Sequence, residues 1–506
     1  MADTQREIER KYESDDSGLP DLTGVVGVEA VIDKGVANLD AVYYDTADER
    51  LAAASLTLRR RTGGSDAGWH LKVPVAPGVR DEIREPLSDT VPDTLAGLVR
   101  SRVREAELAP VVRLRSDRDV RHLVDAQGKL LAEVSVDAVR AERLTEGGGT
   151  AQWTEIEVEL AEGGDPAFLD KVEKRLRKAG VRPSASASKL ARALAETRRS
   201  GSGKKKKRKA PPVPGEPTTA GDHVLAYVRA QRDAILELDP AVRQDAYDSV
   251  HRMRVATRRL RSTFRSYGKV LDRTVTDPVG EELKWLAGEL GVDRDREVMT
   301  ERLTTVLGEL PPALISGPIR ARLDTWANAR RGGSRSRLIG VLDSERYLGL
   351  LDTLDALVAE PPVLPDAAGK PEKVIGKAVR KDFGKVSALV EEAIEAPPGQ
   401  DRDLALHEAR KKAKRTRYAA EAATPALGTS ARALAKSMKS LTSLLGEHQD
   451  SVMVRVTLRE LSAVAHAAGE SSFTYGVLYG REEQRAAGVE AALPEAWKGI
   501  VAEESV

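Results

Sequence analysis

The pattern of apolar and polar positions changes once along the chain. Before residue 200 it is mostly period two: REIERKYE, DAVYYDT, SLTLRRRT, GWHLKVPV, VVRLR, LLAEVSVDAV and QWTEIEVELA alternate, separated by Gly- and Asp-containing turns. Such alternation predicts strands of one antiparallel sheet or barrel, because successive side chains on a strand point to opposite faces. Two helical segments follow the last strand, FLDKVEKRLRKAG and SASKLARALAET. Beyond residue 221 the period is helical, with long Ala/Leu/Arg segments, breaks expected near Pro240, Pro278, Pro311 and Pro361, and no strand alternation. This half predicts an all-α bundle. The expected fold class is α+β in two domains.

Between the two patterns lies SGSGKKKKRKAPPVPGEPTTAG, from Ser200 to Gly221, where Gly, Ser and Pro surround a lysine run. It reads as a solvated linker. The expected division is residues 1–199, a linker at 200–221, and 222–506. The run Lys204 to Lys209 reads first as a self-repelling tether, then as an extra polyanion contact; a nuclear localisation signal is a weaker third reading.

Composition narrows the chemistry. A chain of 506 residues exceeds one ordinary core, in keeping with two domains. Aromatics make up only 4%, so the cores must lean on Leu, Val and Ala. Cysteine is absent, which excludes disulfides and thiolate metal sites and leaves carboxylates or histidine as metal ligands. The charged start MADTQREIERKYES does not read as a signal peptide, and no apolar run approaches a membrane span. The cytoplasm is the expected location and no membrane partner is expected. A net charge of +1, from 80 basic and 79 acidic residues, hides strong local segregation.

In the first half the segregation follows the strand period. Glu7, Glu9 and Lys11 share one face of EIERK. Glu155, Glu157 and Glu159 share one face of EIEVEL, with Ile156, Val158 and Leu160 on the other. Arg59 and Arg61 pair in LRRR, and His70 and Lys72 oppose Trp69 and Leu71 in WHLK. A closed barrel would turn these charged faces inward, with helices covering the apolar outside. A charged interior is costly unless every charge is paired or ligated. A phosphate chain with a divalent cation would satisfy it: Lys and Arg neutralise phosphate oxygens, and clustered Glu offers hard oxygen ligands to Mg2+ or Mn2+. The metal would polarise a phosphoryl group and activate water for phosphoanhydride hydrolysis.

These residues carry a resemblance. EIERK, followed in order by YYDT, LRRR, LK, REP, an Arg-rich strand, EVSVD, EIEVEL and SK, resembles the CYTH superfamily, the triphosphate tunnel metalloenzymes, over roughly residues 1–199. The resemblance implies an eight-stranded antiparallel tunnel with covering helices. Glu7 and Glu9 would bind metal with one or two of Glu155, Glu157 and Glu159, and Glu7, Glu9, Lys11 and Lys72 would carry catalysis. Lys11, Arg59, Arg61, Lys72 and Lys189 would hold phosphates. Arg84 or Glu85, Arg113, Arg118, Glu133 and Asp137 would be further lining residues. The register of RLRSDR leaves Arg113, Arg115 and Arg118 in competition. The implied substrates are tripolyphosphate, short polyphosphate or a nucleoside triphosphate. Two rivals are a catalytically poor phosphate-binding tunnel and an adenylyl cyclase, an activity of some members.

The helical half repeats itself. VHRMRVATRRLRS, starting at Val250, aligns without gaps on LHEARKKAKRTRY, starting at Leu406, so that His251, Arg254, Arg258 and Arg261 fall on His407, Arg410, Lys414 and Arg417. Downstream, LGVDRD at Leu290 aligns on LGEHQD at Leu445, which places Asp295 on Asp450 and Asp293 on His448. Each basic set spans about 80° of one helix face at 100° per residue. Met253, Leu260, Phe264 and Tyr267 cluster on another face of the first helix. Basic faces repeated around a pseudo-twofold suit a groove for a long polyanion, bound electrostatically. Specific nucleic-acid reading would favour interleaved aromatics, which are missing. Neither His251 nor His407 has an HxxxH or HxxE partner for a metal. The motifs resemble the CHAD domain, the conserved histidine α-helical domain, from about residue 222 onward. That resemblance implies two pseudo-symmetric four-helix bundles around a basic cleft that binds inorganic polyphosphate, with Asp295 and Asp450 orienting the bases. It also suggests association with polyphosphate granules. No motif speaks to oligomeric state.

Overall fold

The protein is described by a computed structural model covering residues 3–14, 18–145, 147–198, 216–328 and 334–504, without the side chains of 293–297, 334 and 503–504. The chain forms two compact units, Met1–Lys207 and Arg208–Val506.

The first unit contains strands β1 (Asp3–Ser14), β2 (Ala30–Asp45), β3 (Thr57–Thr62), β4 (Gly68–Ala76), β5 (Val79–Glu85), β6 (Ala109–Val124), β7 (Leu130–Arg143) and β8 (Thr150–Leu160). Its helices are α1 (Arg50–Ala53), α2 (Asp93–Val103), α3 (Ala167–Lys178) and α4 (Lys189–Glu196). The strands close into one barrel in the order β1-β5-β4-β3-β2-β6-β7-β8, each neighbour antiparallel.

Alternation decides which way the charges point. The apolar alternate positions are buried on the outside. Ile156, Val158 and Leu160 pack with Val134 and Leu123 beneath Phe168, Leu169, Val172 and Leu176 of α3. Leu58, Trp69, Leu71 and Ile83 pack beneath Leu95, Leu98 and Val99 of α2 and Leu51 of α1. Each fully buried side chain of this size contributes about 1.5–3 kcal/mol, so turning these faces outward commits the opposite, charged faces to the barrel interior. At one end the interior itself is apolar. There Ala41, Tyr43, Val112, Leu114, Val139, Ala141 and Trp153 pack against Leu190, Ala193 and Leu194 of α4, which fill that end.

The second unit is helical: α5 (Ala220–Arg243), α6 (Ser249–Ser266), α7 (Arg273–Glu289), α8 (Val292–Gly308), α9 (Ile319–Asn328), α10 (Ser334–Leu342), α11 (Glu345–Ala359), α12 (Pro371–Glu395), α13 (Gln400–Leu427), α14 (Thr429–Ala467) and α15 (Phe473–Glu504). The expected linker end needs correction. Helix α5 already begins at Ala220, because Thr219 and Asp222 form a reciprocal capping box that places Gly221 inside the helix. Residues 200–215 of the expected linker lie outside the described residues. Pro311 and Pro361 do follow the ends of α8 and α11, whereas Pro240 and Pro278 sit inside α5 and α7. A proline costs one helical hydrogen bond; in α7 the buried Val279, Leu283 and Leu286 hold the helix together across it.

The larger core joins α5, α6, α7, α11, α12, α13, the first part of α14 and the end of α15. A smaller one joins α8, α9, the second part of α14 and the start of α15. The two helices that carry the repeated basic motif pack together: the Tyr267 hydroxyl donates to the Ala419 carbonyl at 2.6 Å, and Arg259 donates to Glu421 at 3.0 Å. Among the described residues no helix is long and apolar enough to cross a membrane.

Candidate functional site

The barrel encloses a cavity of about 790 Å³. Its lining comes from inward alternate positions: Glu7, Glu9 and Lys11 of β1, Arg59 and Arg61 of β3, Lys72 of β4, Arg80 and Arg84 of β5, Arg118 and His122 of β6, Glu133 of β7, Glu157 and Glu159 of β8, and Lys189 of α4. Lys34 and Val36 of β2 line it too and are exposed, away from the apolar end filled by α4.

The charges divide into two groups. Asp137, Glu155 and Glu157 bracket the Lys189 ammonium at 2.9, 2.8 and 2.5 Å. Arg118 forks onto Asp137 at 2.7 and 2.8 Å and reaches Glu157 at 2.7 Å, and Lys11 also pairs with Glu157. Burial opposes ionisation of Glu157, but Lys11, Lys189 and Arg118 outweigh it and hold its carboxyl well below the usual range. The three carboxylates are near enough to share a metal. They are already neutralised by three bases, so the ammonium of Lys189 stands where a cation would.

The second group centres on Glu7, Glu9 and Glu159, with Lys72 2.5 Å and Arg84 3.9 Å from Glu7. Glu9 faces Glu159 across β1 and β8. Burial raises the Glu7 carboxyl, against the nearby Lys72. Burial together with the charges of Glu7, Glu9 and Glu133 pushes Glu159 up to about 7. Glu9 alone is held low, at about 2: Lys11, 3.0 Å away, and Lys72 overcome its burial. Carboxylate oxygens facing such a cavity are donors suited to a hard divalent cation. Glu7, Glu9 and Glu159 fit that role. Glu155, also expected as a metal ligand, belongs to the trio with Asp137 and Glu157, and accepts from the Trp153 indole at 2.6 Å and from Lys189.

Two expected lining residues face elsewhere. Glu85 points outward at the end of β5 and accepts from Thr94 of α2 at 2.8 Å. Its neighbours Glu82 and Arg84 alternate inward with Arg80. Arg113 likewise lies outside, forked onto Asp40 at 2.5–2.8 Å, with Arg115 3.5 Å from the same carboxylate. In the competition left open by RLRSDR, Arg118 is the residue inside. Glu133 lines the cavity beside His122, 3.2 Å away. Sequence reasoning missed Glu82, which is buried. It lies 2.9 Å from His70, 2.6 Å from Arg84, 3.4 Å from Arg59 and 3.5 Å from Lys72, so one carboxylate sets four bases. The period-two reading of VRDEIRE would have found it. Arg61 pairs with Asp66, and burial beside Arg59 and Arg118 lowers its guanidinium to about 9.

In the helical unit the two basic stripes meet. Burial and the charges of Arg258, Arg410 and Arg254 bring the Lys414 ammonium down to about 7, so α6 and α13 share one cationic field. Lys414 forms no ion pair among the described residues. The stripe ends are partly neutralised: Arg261 approaches Glu281 at 3.7 Å and Arg417 pairs with Glu421 at 2.8 Å. His407 lies 2.5 Å from Gln449, whereas His251 is exposed. Asp450 is raised by burial against the pull of Arg410 and Arg302. The side chain of Asp295 lies outside those described. His448 is buried, with Nε2 3.3 Å from both Asp403 and Glu490.

Comparison with known proteins accounts for both halves. The CYTH domain family matches residues 5–194 and the CHAD domain family matches residues 226–459. The uncharacterized protein MT2285 of Mycobacterium tuberculosis (strain CDC 1551 / Oshkosh) is 38% identical over 492 residues, covering 94% of this chain and 92% of that protein. The chain belongs to the family in which a CYTH tunnel domain is joined to a CHAD domain. Two solved structures resemble the helical half. PptA from Streptomyces chartreusis is 21% identical, with a TM-score of 0.48 over 56% of this chain and 100% of its own. The CHAD domain from Ricinus communis is 24% identical, with a TM-score of 0.44 over 57% and 93%.

Proposed function

We propose that the tunnel hydrolyses inorganic triphosphate or short polyphosphate with a divalent metal, and that the helical cleft holds polyphosphate. The observation that carries the reading is the division of charge inside one cavity. Arg59, Arg61, Lys72, Arg84 and Arg118 present cations to a phosphate chain, beside the carboxylates Glu7 and Glu9, paired with Lys72 and Lys11, and Glu159, which its acidic neighbours and burial push up to about 7. A bound Mg2+ or Mn2+ supplies Lewis-acid polarisation of a phosphoryl oxygen and a more acidic water. The chain's own residues do the rest. Lys11 and Lys72 sit against Glu9 and Glu7, where they hold phosphate oxygens beside the donor set. Glu82 keeps Arg59, Lys72 and Arg84 aimed inward. The apolar end filled by α4 excludes water and limits how far a phosphate chain can enter.

Purified protein incubated with Mg2+ or Mn2+ and tripolyphosphate releases phosphate in a manner that depends on Glu7 and Glu9. Cyclic AMP from ATP, without free phosphate, would favour the cyclase reading instead. In the second unit, the convergence of Arg254, Arg258, Arg410 and Lys414 supports the binding of a long polyanion. On this reading the protein works in the cytoplasm, on polyphosphate granules.

A further inference from the structure

The repeated motif of the helical unit contains a feature that its bases do not explain. Besides the aspartates, LGVDRD and LGEHQD align Gly291 on Gly446. Gly291 lies between α7 and α8, and a Cβ placed on it would fall 2.6 Å from both Cζ and Nη2 of Arg254. Gly446 lies inside α14, and a Cβ placed there would fall 3.5 Å from Nη2 and 3.6 Å from Nε of Arg410. Arg254 and Arg410 are themselves equivalent positions of the repeat. Twice, then, the same guanidinium rests over a residue without a side chain.

Backbone freedom does not account for these glycines. Gly291 has φ of −98°, open to any residue, and Gly446 is helical. At Gly291 close approach of the Arg254 guanidinium is the remaining physical reason for glycine, whereas at Gly446 an added carbon would sit at ordinary contact distance. In the second copy Asp450 follows one turn beyond Gly446, on the same helix face, and its charge acts on Arg410. A bare helix surface with a carboxylate one turn on makes a seat for an arginine from the neighbouring helix.

We infer that Gly291 is a positioning residue whose missing side chain seats the guanidinium group of Arg254 and so helps set the cationic face presented to polyphosphate, while the equivalent Gly446 leaves room beside Arg410 that a methyl group would also leave. A seated arginine surrenders less side-chain freedom on meeting its ligand. The inference rests on the polyphosphate reading of the cleft. The two seats differ in tightness. The added carbon of Gly291→Ala falls inside contact distance of a flexible side-chain end, so it displaces Arg254 at little cost to the fold. The added carbon of Gly446→Ala falls at ordinary contact distance and leaves Arg410 in place.

The test is calorimetric titration of the full chain with long-chain polyphosphate at low salt, together with thermal melting. Gly291→Ala should weaken binding on the order of tenfold, as loss of one well-placed charge-assisted contact would, with Tm unchanged. Gly446→Ala should bind as the wild type. In an Arg254→Ala background, Gly291→Ala should have no further effect. Wild-type affinity in Gly291→Ala while Arg254→Ala is weakened overturns the inference and leaves the polyphosphate reading standing. A Gly291→Ala defect that persists undiminished without the Arg254 side chain also overturns it, since that marks a general structural effect. Full affinity in Arg254→Ala itself removes both.

Discussion

Two buried lysines show how differently the halves of this protein treat charge. In the barrel Lys189 is ringed by Asp137, Glu155 and Glu157, and these carboxylates outweigh its burial and keep it firmly protonated. In the helical unit Lys414 is half-buried among Arg258, Arg410 and Arg254, with Asp450 as the opposing carboxylate, and falls to about 7. Burial acts the same way on both; the sign of the neighbours decides the outcome. The tunnel is thus largely self-neutralised, and Glu159, pushed up to about 7 by burial and its acidic neighbours, is the carboxylate a further cation would favour most. Around Lys414 the neighbouring charges are mostly positive, a field that favours an anion. One arrangement suits metal-assisted chemistry and the other suits retention.

Four experiments sharpen or break this contrast. The largest effect is expected from Glu9→Gln, which takes a charged ligand from the donor set while keeping its shape. Phosphate release from tripolyphosphate should fall on the order of 10²–10³-fold, as when one transition-state contact is lost, with polyphosphate affinity of the cleft unchanged. Loss of both properties together would show that the two sites are not separate. Next, the double variant Arg254→Glu/Arg410→Glu should lose roughly 3 kcal/mol of polyphosphate binding at low salt, by titration, from charge-assisted contacts. Its tripolyphosphate turnover should match the wild type.

Ligand should also stabilise the cleft it fills. Polyphosphate at a hundred times its Kd should add about 2.7 kcal/mol to the helical unit. The rise in melting temperature should shrink as salt screens the interaction. A shift insensitive to salt would contradict a mainly electrostatic groove. The smallest effect concerns pH. Lys414 sits at about 7 in the fold, against roughly 10.4 when unfolded. Between those values the unfolded chain holds the proton more often, so this group makes the helical unit more stable as pH rises from about 7. A bound polyanion favours the protonated amine, so binding takes up a proton and weakens as pH climbs past 7. Calorimetry in buffers of different ionisation enthalpy should detect that uptake in the wild type and not in Lys414→Arg.

The parts of the site that local pattern could reach were legible in advance. Strand parity put Glu7, Glu9 and Lys11 on one face, as it did Arg59 with Arg61 and His70 with Lys72, and all of these faces turned inward when the apolar alternates were covered by α2 and α3. The duplicated motif likewise placed two basic stripes on two helices. Parity also explains the errors. In REP the expected residue, Glu85, is one position out of phase with the inward Glu82 and Arg84, and Arg113 is out of phase with Arg118.

What the linear chain determined by itself is the alternation and the repeat, because both arise from side chains a few residues apart on one regular backbone. It did not determine which of Glu155, Glu157 and Glu159 forms no ion pair among the described residues, since Lys189 reaches the first two from a helix beyond the last strand and Lys11 and Arg118 reach Glu157 from other strands. Nor could it show that Arg254 and Lys414 share one field, or that Arg254 and Arg410 rest on glycines of other helices. Those facts depend on closure of the barrel, strand register and helix packing. Electrostatic and steric contacts act through space, and only the folded chain brings residues so far apart in sequence within a few ångströms.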